Sequence, residues 1–195
     1  MNNIVLKIVN RTIFFIINFV NILYNRVEYG NYPNIRGILR INNNGNFVLG
    51  SSVYLISGQI FNPIGGENKL QIWVSKNAKL KIGSRVGIAN SSIVVQNEVE
   101  IQDDVLIGSG CRIYDTDFHS LETVERRIGY KNPVTVLTEK VLIKKGAFVG
   151  AHSIILKGVN IGENSIIAAG SVVFKDVPDN QIWAGNPARC IGLIE

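Results

Sequence analysis

The chain is poor in residues on which several protein classes depend: two cysteines, two histidines, one methionine and five prolines among 195 residues. Cys111 and Cys190 cannot make a disulfide framework, so a reducing cytoplasm is the simplest compartment. Charged residues, at 18%, are ordinary for a soluble globular protein but unevenly placed. Residues 1–40 carry Lys7, Arg11, Arg26, Arg36 and Arg40 against Glu28 alone, so +4 of the net +5 sits there and the remaining 155 residues hold +1. A nearly neutral body lacks the basic stripe with interleaved aromatics that a nucleic-acid partner requires, so none is expected. Long hydrophobic runs are missing too. Thr12 to Leu23 is broken by Asn18 and Asn21 and falls short of the ~18 to 20 apolar residues of a bilayer span. No small-residue cleavage site follows it, as a secretory signal would need.

What the chain does have is glycine, 19 in all, and a repeat. Ile143, Val149, Ile155, Ile161, Ile167 and Val173 step by six, and Ala147, Ser153, Val159, Ser165 and Ser171 follow the first five of them by four. A period of six suits neither a helix nor a lone alternating strand. It suits a coil of short flat sides and corners, in which the aliphatic residue points inward once per side and the small one fits beside the corner. Stacked coils pair their backbones with one another and leave only two ends as edges. Gly150, Gly162 and Ala168 follow the aliphatic residue, where a bend is expected to need permissive backbone. The pattern also runs through Ile82, Ile88, Val95, Ile101, Ile107 and Ile113. Its one seven-residue step, from Ile88 to Val95, predicts a bulged corner. Ile41, Phe47 and Val53 predict a first irregular coil near residue 40. Asn62-Pro63 and Gly65-Gly66 place a loop between Ile60 and Leu70.

These hexads resemble those of the left-handed parallel β-helix acyltransferases. The tail, Ile161-Gly162-Glu163-Asn164-Ser165 with Lys175-Asp176-Val177-Pro178 and Ala184-Gly185-Asn186-Pro187-Ala188-Arg189, is similar to the maltose, galactoside and polysaccharide O-acetyltransferases. The resemblance covers roughly residues 75–192 and implies a mainly β fold: a left-handed parallel β-helix, with an N-terminal helix, an extruded loop and a short C-terminal tail. We divide the chain into a helix over 1–26 and a β-helix domain over 27–195, with an excursion at 114–140 where the hexads vanish and Pro133 occurs. After Val173 the chain is expected to leave the coil through Pro178 and Asn180. The γ-class carbonic anhydrases share the coil but require three histidine ligands to zinc, which His119 and His152 cannot supply, and no metal is expected.

An excursion from a regular coil is more often functional than accidental. It holds Asp115-Thr116-Asp117-Phe118-His119. Transfer of an acyl group from a thioester to an alcohol needs a base for the hydroxyl proton, and imidazole suits that task at neutral pH. The resemblance makes His119 that base. Asp115 or Asp117 could orient it; Asp117 is carried forward with His119, although each serves equally well as a loop-capping carboxylate. His152 is read as structural, and Cys111 as a buried small residue. The resemblance further implies acetyl-coenzyme A as cosubstrate, contacted by Phe148, Ala151, Ala169, Lys175 and Arg189, with the Arg189 guanidinium on a phosphate. Phe148 stands where the family often has tryptophan, and Gly192 where it has a second arginine. Lys157, Lys144 or Lys145 could serve the phosphate instead.

The implied activity is acetyl transfer to a sugar hydroxyl in surface polysaccharide assembly, by a cytoplasmic homotrimer with sites between subunits. An N-acetyltransferase acting on an amino sugar and a non-enzymatic scaffold are the alternatives. Two readings stay open for residues 1–26. The helix packs on the body or a neighbouring subunit, or it lies at a membrane face with Lys7 and Arg11 toward anionic lipid and Phe14, Phe15 and Phe19 in the headgroup boundary.

Overall fold

A computed structural model describes residues 2–66, 68–128 and 136–194, with side chains from residue 11 onward except that of Ile128. Pro133 of the excursion and the side chain of Lys7 lie outside the described residues. The hexads become short strands, three to a coil. Coil 1 is β1 (Glu28–Tyr29), β2 (Asn34–Gly37) and β3 (Arg40–Asn43); coil 2 is β4 (Asn46–Leu49), β5 (Tyr54–Ser57) and β6 (Gln71–Val74). Coil 3 is β7 (Lys79–Ile82), β8 (Gly87–Ala89) and β9 (Ser92–Val95); coil 4 is β10 (Glu98–Ile101), β11 (Leu106–Ile107) and β12 (Arg112–Tyr114). Coil 5 is β13 (Val141–Ile143), β14 (Phe148–Val149) and β15 (Ile154–Ile155); coil 6 is β16 (Asn160–Ile161), β17 (Ile166–Ile167) and β18 (Val172–Val173). The first strands of all coils form sheet A, the second strands sheet B and the third strands sheet C. All pairings between coils are parallel. The result is a three-sided prism with edges AB, BC and CA.

Its interior is filled by the predicted ladder. Ile93, Ile113, Ile155 and Val173 stack in register, and Ile143, Val149, Ile161 and Ile167 are fully buried with them. Burial of each such side chain is worth roughly 1.5 to 3 kcal/mol, so the coils cohere chiefly through this column. Ala147, Ser153, Val159, Ser165 and Ser171 are buried beside the corners. The corners themselves correct the expectation for glycine. Positive φ falls three places after the aliphatic residue, at Asp104, Gly110, Gly146, His152, Gly158, Asn164 and Gly170. Gly150 instead marks close approach, since a Cβ there would stand 2.5 Å from the Ala169 nitrogen of the next coil.

The seven-residue step is also read differently in the structure. Ile93, not Val95, pairs with Ile113, so the BC corner of coil 3 is one residue shorter than its neighbours rather than bulged. Ser91 fills the small slot there, donating to the carbonyls of Ala89 and Gly108 and accepting from the Cys111 N–H. The first coil begins at β1, earlier than residue 40. Phe47 and Leu80 form one inward row, whereas Val53 is a corner filler; Ile41 belongs to the sheet C row with Ile72.

The N-terminal edge of the stack is covered by helix α1 (Asn2–Tyr24). Asn18 donates to the Gly37 carbonyl at 2.8 Å and accepts from the Leu39 N–H at 3.0 Å. Asn21 donates to the Leu39 carbonyl, and Asn25 accepts from the Asn43 N–H. The asparagines that interrupt the apolar run therefore satisfy backbone groups that would be orphaned at an open edge. Ile22 enters the core beneath them. Phe14 meets Phe61, and Phe15 and Phe19 meet Tyr32, so these rings engage the body. Phe15 and Phe19 nevertheless stay exposed, alongside an outward aliphatic ridge of Ile13, Ile16, Val20 and Leu23. Among the described residues no helix is long and apolar enough to cross a membrane.

The far end is closed by the tail. Val177 bridges to Ile161, continuing sheet A, and β19 (Gln181–Gly185) pairs with β17 in parallel before β20 (Ala188–Leu193) returns antiparallel to it. The chain thus completes part of a seventh coil rather than leaving the helix at Pro178.

Candidate active site

Coil 4 is interrupted after β12, at edge CA. The excursion leaves and returns as a narrow antiparallel ribbon: the Asp117 N–H donates to the Leu137 carbonyl, the Glu139 N–H to the Asp115 carbonyl, and Thr116 bridges Thr138. Helix α2 (Thr123–Ile128) lies beyond it, begun by Ser120, whose hydroxyl donates to Glu125 and accepts from the Glu122 N–H.

The two carboxylates of the Asp-Thr-Asp-Phe-His run have different fates. Asp115 is fully buried and accepts from the backbone N–H groups of Gln96 and Asn97 at 2.8 and 2.7 Å. Burial pushes its carboxyl up, against the pull of those donors. It pins the excursion to the corner of coil 3 and is turned away from the loop tip. Asp117 is half-buried and stands 3.5 Å from the Lys157 ammonium of coil 5, which also lies 3.9 Å from Glu139. Between these anchors the chain reverses. Phe118 takes φ 61°, a conformation costing a non-glycine residue roughly 1 to 3 kcal/mol. The Thr116 hydroxyl accepting its N–H and the Tyr114 ring 5.0 Å away hold it there.

The reversal presents His119. Its N–H donates to the Asp117 carbonyl at 2.7 Å, and its exposed imidazole makes no hydrogen bond to any described residue. The two candidates are joined through backbone, while the Asp117 carboxylate is engaged by Lys157. His152 occupies a left-handed corner position on edge BC, its N–H donating to the Ser109 carbonyl. Cys111 is buried under Gly150, and burial pushes its thiol up to about 11, which leaves it inert as a nucleophile at neutral pH.

The five cofactor candidates fall into two groups. Ala151 and Ala169 lie on edge BC in successive coils, joined by the hydrogen bond from the Gly170 N–H to the Ala151 carbonyl, and Phe148 lies on the outer face of sheet B. Small side chains along an edge leave room for an extended ligand against backbone. Lys175 and Arg189 converge elsewhere, 5.5 and 5.6 Å from the ring centre of Phe174 at the C-terminal end of sheet C. Two cations over one aromatic suit a phosphate-bearing ligand. Of the substitute lysines, Lys157 is taken by Asp117 and Lys144 by Asp179 at 3.2 Å. Among the described residues no hydrogen bond, ion pair or ring contact joins His119 to any of the five.

Sequence reading missed a groove of about 620 Å³ on the outer face of sheet C, running from Asn21 across Arg40 and Trp73 to Tyr114 and Phe118 beside His119. Its residues are spread over coils roughly twenty to thirty positions apart, and only the register brings them together. The outward places on either side of each inward aliphatic, such as Gln71 and Trp73 around Ile72, were the available signal.

The bacterial transferase hexapeptide pattern of six repeats matches residues 140–175. The galactoside O-acetyltransferase of Escherichia coli (strain K12) is 36% identical over 135 residues, 65% of this chain and 61% of that protein. The chain spans about half the length of the curated relatives it matches. An N-acyltransferase from Bacillus cereus, solved with dTDP and coenzyme A, has TM-score 0.65 and 27% identity, covering 87% of this chain and 84% of that one. A hexapeptide-repeat acetyltransferase of Vibrio cholerae O1 biovar eltor, complexed with acetyl coenzyme A, has TM-score 0.55 and 27% identity over 64% of this chain and 65% of that one. With its hexads, its three parallel sheets and these likenesses, the chain carries the bacterial transferase hexapeptide repeat over residues 140–175 and has a left-handed parallel β-helix like that of the hexapeptide-repeat acyltransferases.

Proposed function

We propose that the protein transfers an acetyl group from acetyl-coenzyme A to a hydroxyl of a saccharide acceptor in surface polysaccharide assembly, with His119 as general base. The observation that carries this reading is the loop tip itself: an unengaged imidazole held out by a strained turn that coils 3 and 5 anchor from below. His119 would take the acceptor proton as the oxygen attacks the thioester carbonyl. Backbone N–H groups would stabilise the tetrahedral oxyanion, and the proton would pass to the departing thiolate, giving a sugar ester and free coenzyme A.

Lys175 and Arg189 support phosphate binding, while Phe148, Ala151 and Ala169 fit a pantetheine arm along edge BC. His119 roots at edge CA, across sheet C from Ala151 and Ala169. That separation supports a cyclic homotrimer in which one subunit's His119 meets the cofactor groove of the next. Mixing His119→Ala chains with Arg189→Ala chains should then restore about a quarter of the wild-type sites. The aliphatic ridge of α1, beside the basic excess of the first 40 residues, supports peripheral contact with the inner membrane face of a cytoplasmic protein; loss of co-sedimentation with anionic vesicles in a Val20→Ser, Leu23→Ser variant tests this.

The Bacillus cereus N-acyltransferase favours a second reading, acyl transfer to an amino sugar. Mass spectrometry of products from hydroxyl-only and amino acceptors, each with acetyl-coenzyme A, separates the two. Ester formation is expected; amide alone would replace the reading, and no product with either would refute it.

A further inference from the structure

The groove on sheet C is flat-floored and walled at both ends, by Asn21 of α1 and by Phe118 of the excursion. Two outward columns make its floor. Arg40, Gln71 and Ser92 are in register in successive coils, and beside them run Asn42, Trp73, Val94 and Tyr114; Arg112 continues the first column one rung beyond the residues that line the groove. Three rungs separate Arg40 from Arg112, about 14 Å at the usual strand spacing, which is longer than a single sugar ring. Trp73 is 53% exposed at the middle of this run, so its indole face is open to a planar or cyclic ligand. Neither arginine has an ion-pair partner among the described residues, and no carboxylate lines the groove. Nearby carboxylates are committed elsewhere: Asp115 is buried under backbone donors, and Asp117 holds Lys157.

We infer that this groove binds an acidic oligosaccharide, several sugars long, and threads it toward His119. Carboxylate groups of the chain meet the forks of Arg40 and Arg112, a sugar face lies on Trp73, and the side-chain amides of Gln71 and Asn42 bond ring hydroxyls. The axial order fits the chemistry: acceptor on coils 1 to 4, His119 at coil 4, and Phe174, Lys175 and Arg189 at coil 6 and beyond. The inference rests on the acetyltransferase reading for its direction, but binding is measurable without catalysis.

The test uses the full-length protein carrying His119→Ala. Oligogalacturonates of one to six sugars and maltooligosaccharides of the same lengths are titrated by calorimetry at low and raised salt. The acidic hexamer is expected to bind at least tenfold tighter than the acidic monomer and the neutral hexamer, with the advantage shrinking in salt. Trp73→Ala should cost the hexamer about tenfold and the monomer nothing, with Trp73→Phe largely restoring it. Arg40→Gln combined with Arg112→Gln should erase the preference for acid; acetyl-coenzyme A binding should be unchanged in all variants. These side chains are exposed, and unchanged melting temperatures would show that the folds survive. Length-independent binding, equal binding of the neutral series, indifference to the variants, or no binding of either series would each overturn the inference. Acidic chains that bind as expected but are never acetylated by the wild type would leave the groove standing and sink the enzymatic reading instead.

Discussion

The Lys157 ammonium stands 3.5 Å from the Asp117 carboxylate, so a corner of coil 5 holds the turn that carries His119. Both side chains are about a quarter exposed or less, at 21% and 26%, where an ion pair still positions a chain even if it adds little stability.

We predict that Lys157→Met lowers kcat about tenfold, the scale expected when a catalytic group loses its placement, while the KM for acetyl-coenzyme A is nearly unchanged. Lys157→Arg should recover most of the loss. Asp117→Asn should match Lys157→Met. A much larger loss for Asp117→Asn would mean that its carboxylate orients the imidazole directly in the working complex.

The cap on the first coil gives a second prediction. Asn18→Leu leaves the Gly37 carbonyl and the Leu39 N–H unpaired, at about 1 to 3 kcal/mol for each buried group. Denaturant unfolding should therefore show a clear loss of stability, and deletion of residues 1–26 a larger one, because Ile22 leaves the core as well. A truncated protein as stable as the full chain would show that the helix is dispensable to the fold.

Acid should loosen the root of the excursion. Hydrogen bonds from Lys140, and behind it from Lys81, hold Glu100 below the usual carboxylate range against its partial burial. A carboxylate whose folded value is depressed contributes stability that is complete above its unfolded value and is lost as pH falls through the folded one. The gap in melting temperature between wild type and Glu100→Gln should thus be present at pH 7 and close as pH drops below about 4. A gap that stays constant over that range would show that the pair does not couple to protonation.

How far the sequence could be read follows from where each signal resides. Ile143 to Val173 was legible because inward packing demands one aliphatic residue per side, and that demand is local. The short corner after Ile88 was misread because Ile93 and Val95 are both aliphatic and both buried, so hydrophobicity could not choose which one stands in the row of Ile113; backbone register does. Asn18 and Asn21 looked like blemishes in an apolar helix, since their partners lie some twenty residues away. His119 was conspicuous by chemistry and by its break from the repeat, whereas Lys157 and the Arg40, Trp73 and Arg112 columns acquire their role only when coils stack.

The role of His119 is tested most directly by steady-state acetylation of a saccharide acceptor by wild type and His119→Ala, with acetyl-coenzyme A affinity determined in parallel. We predict that kcat falls by ~10² to 10⁴, the contribution of a positioned base, while the dissociation constant for acetyl-coenzyme A stays the same. Turnover within a few-fold of wild type would contradict the mechanism.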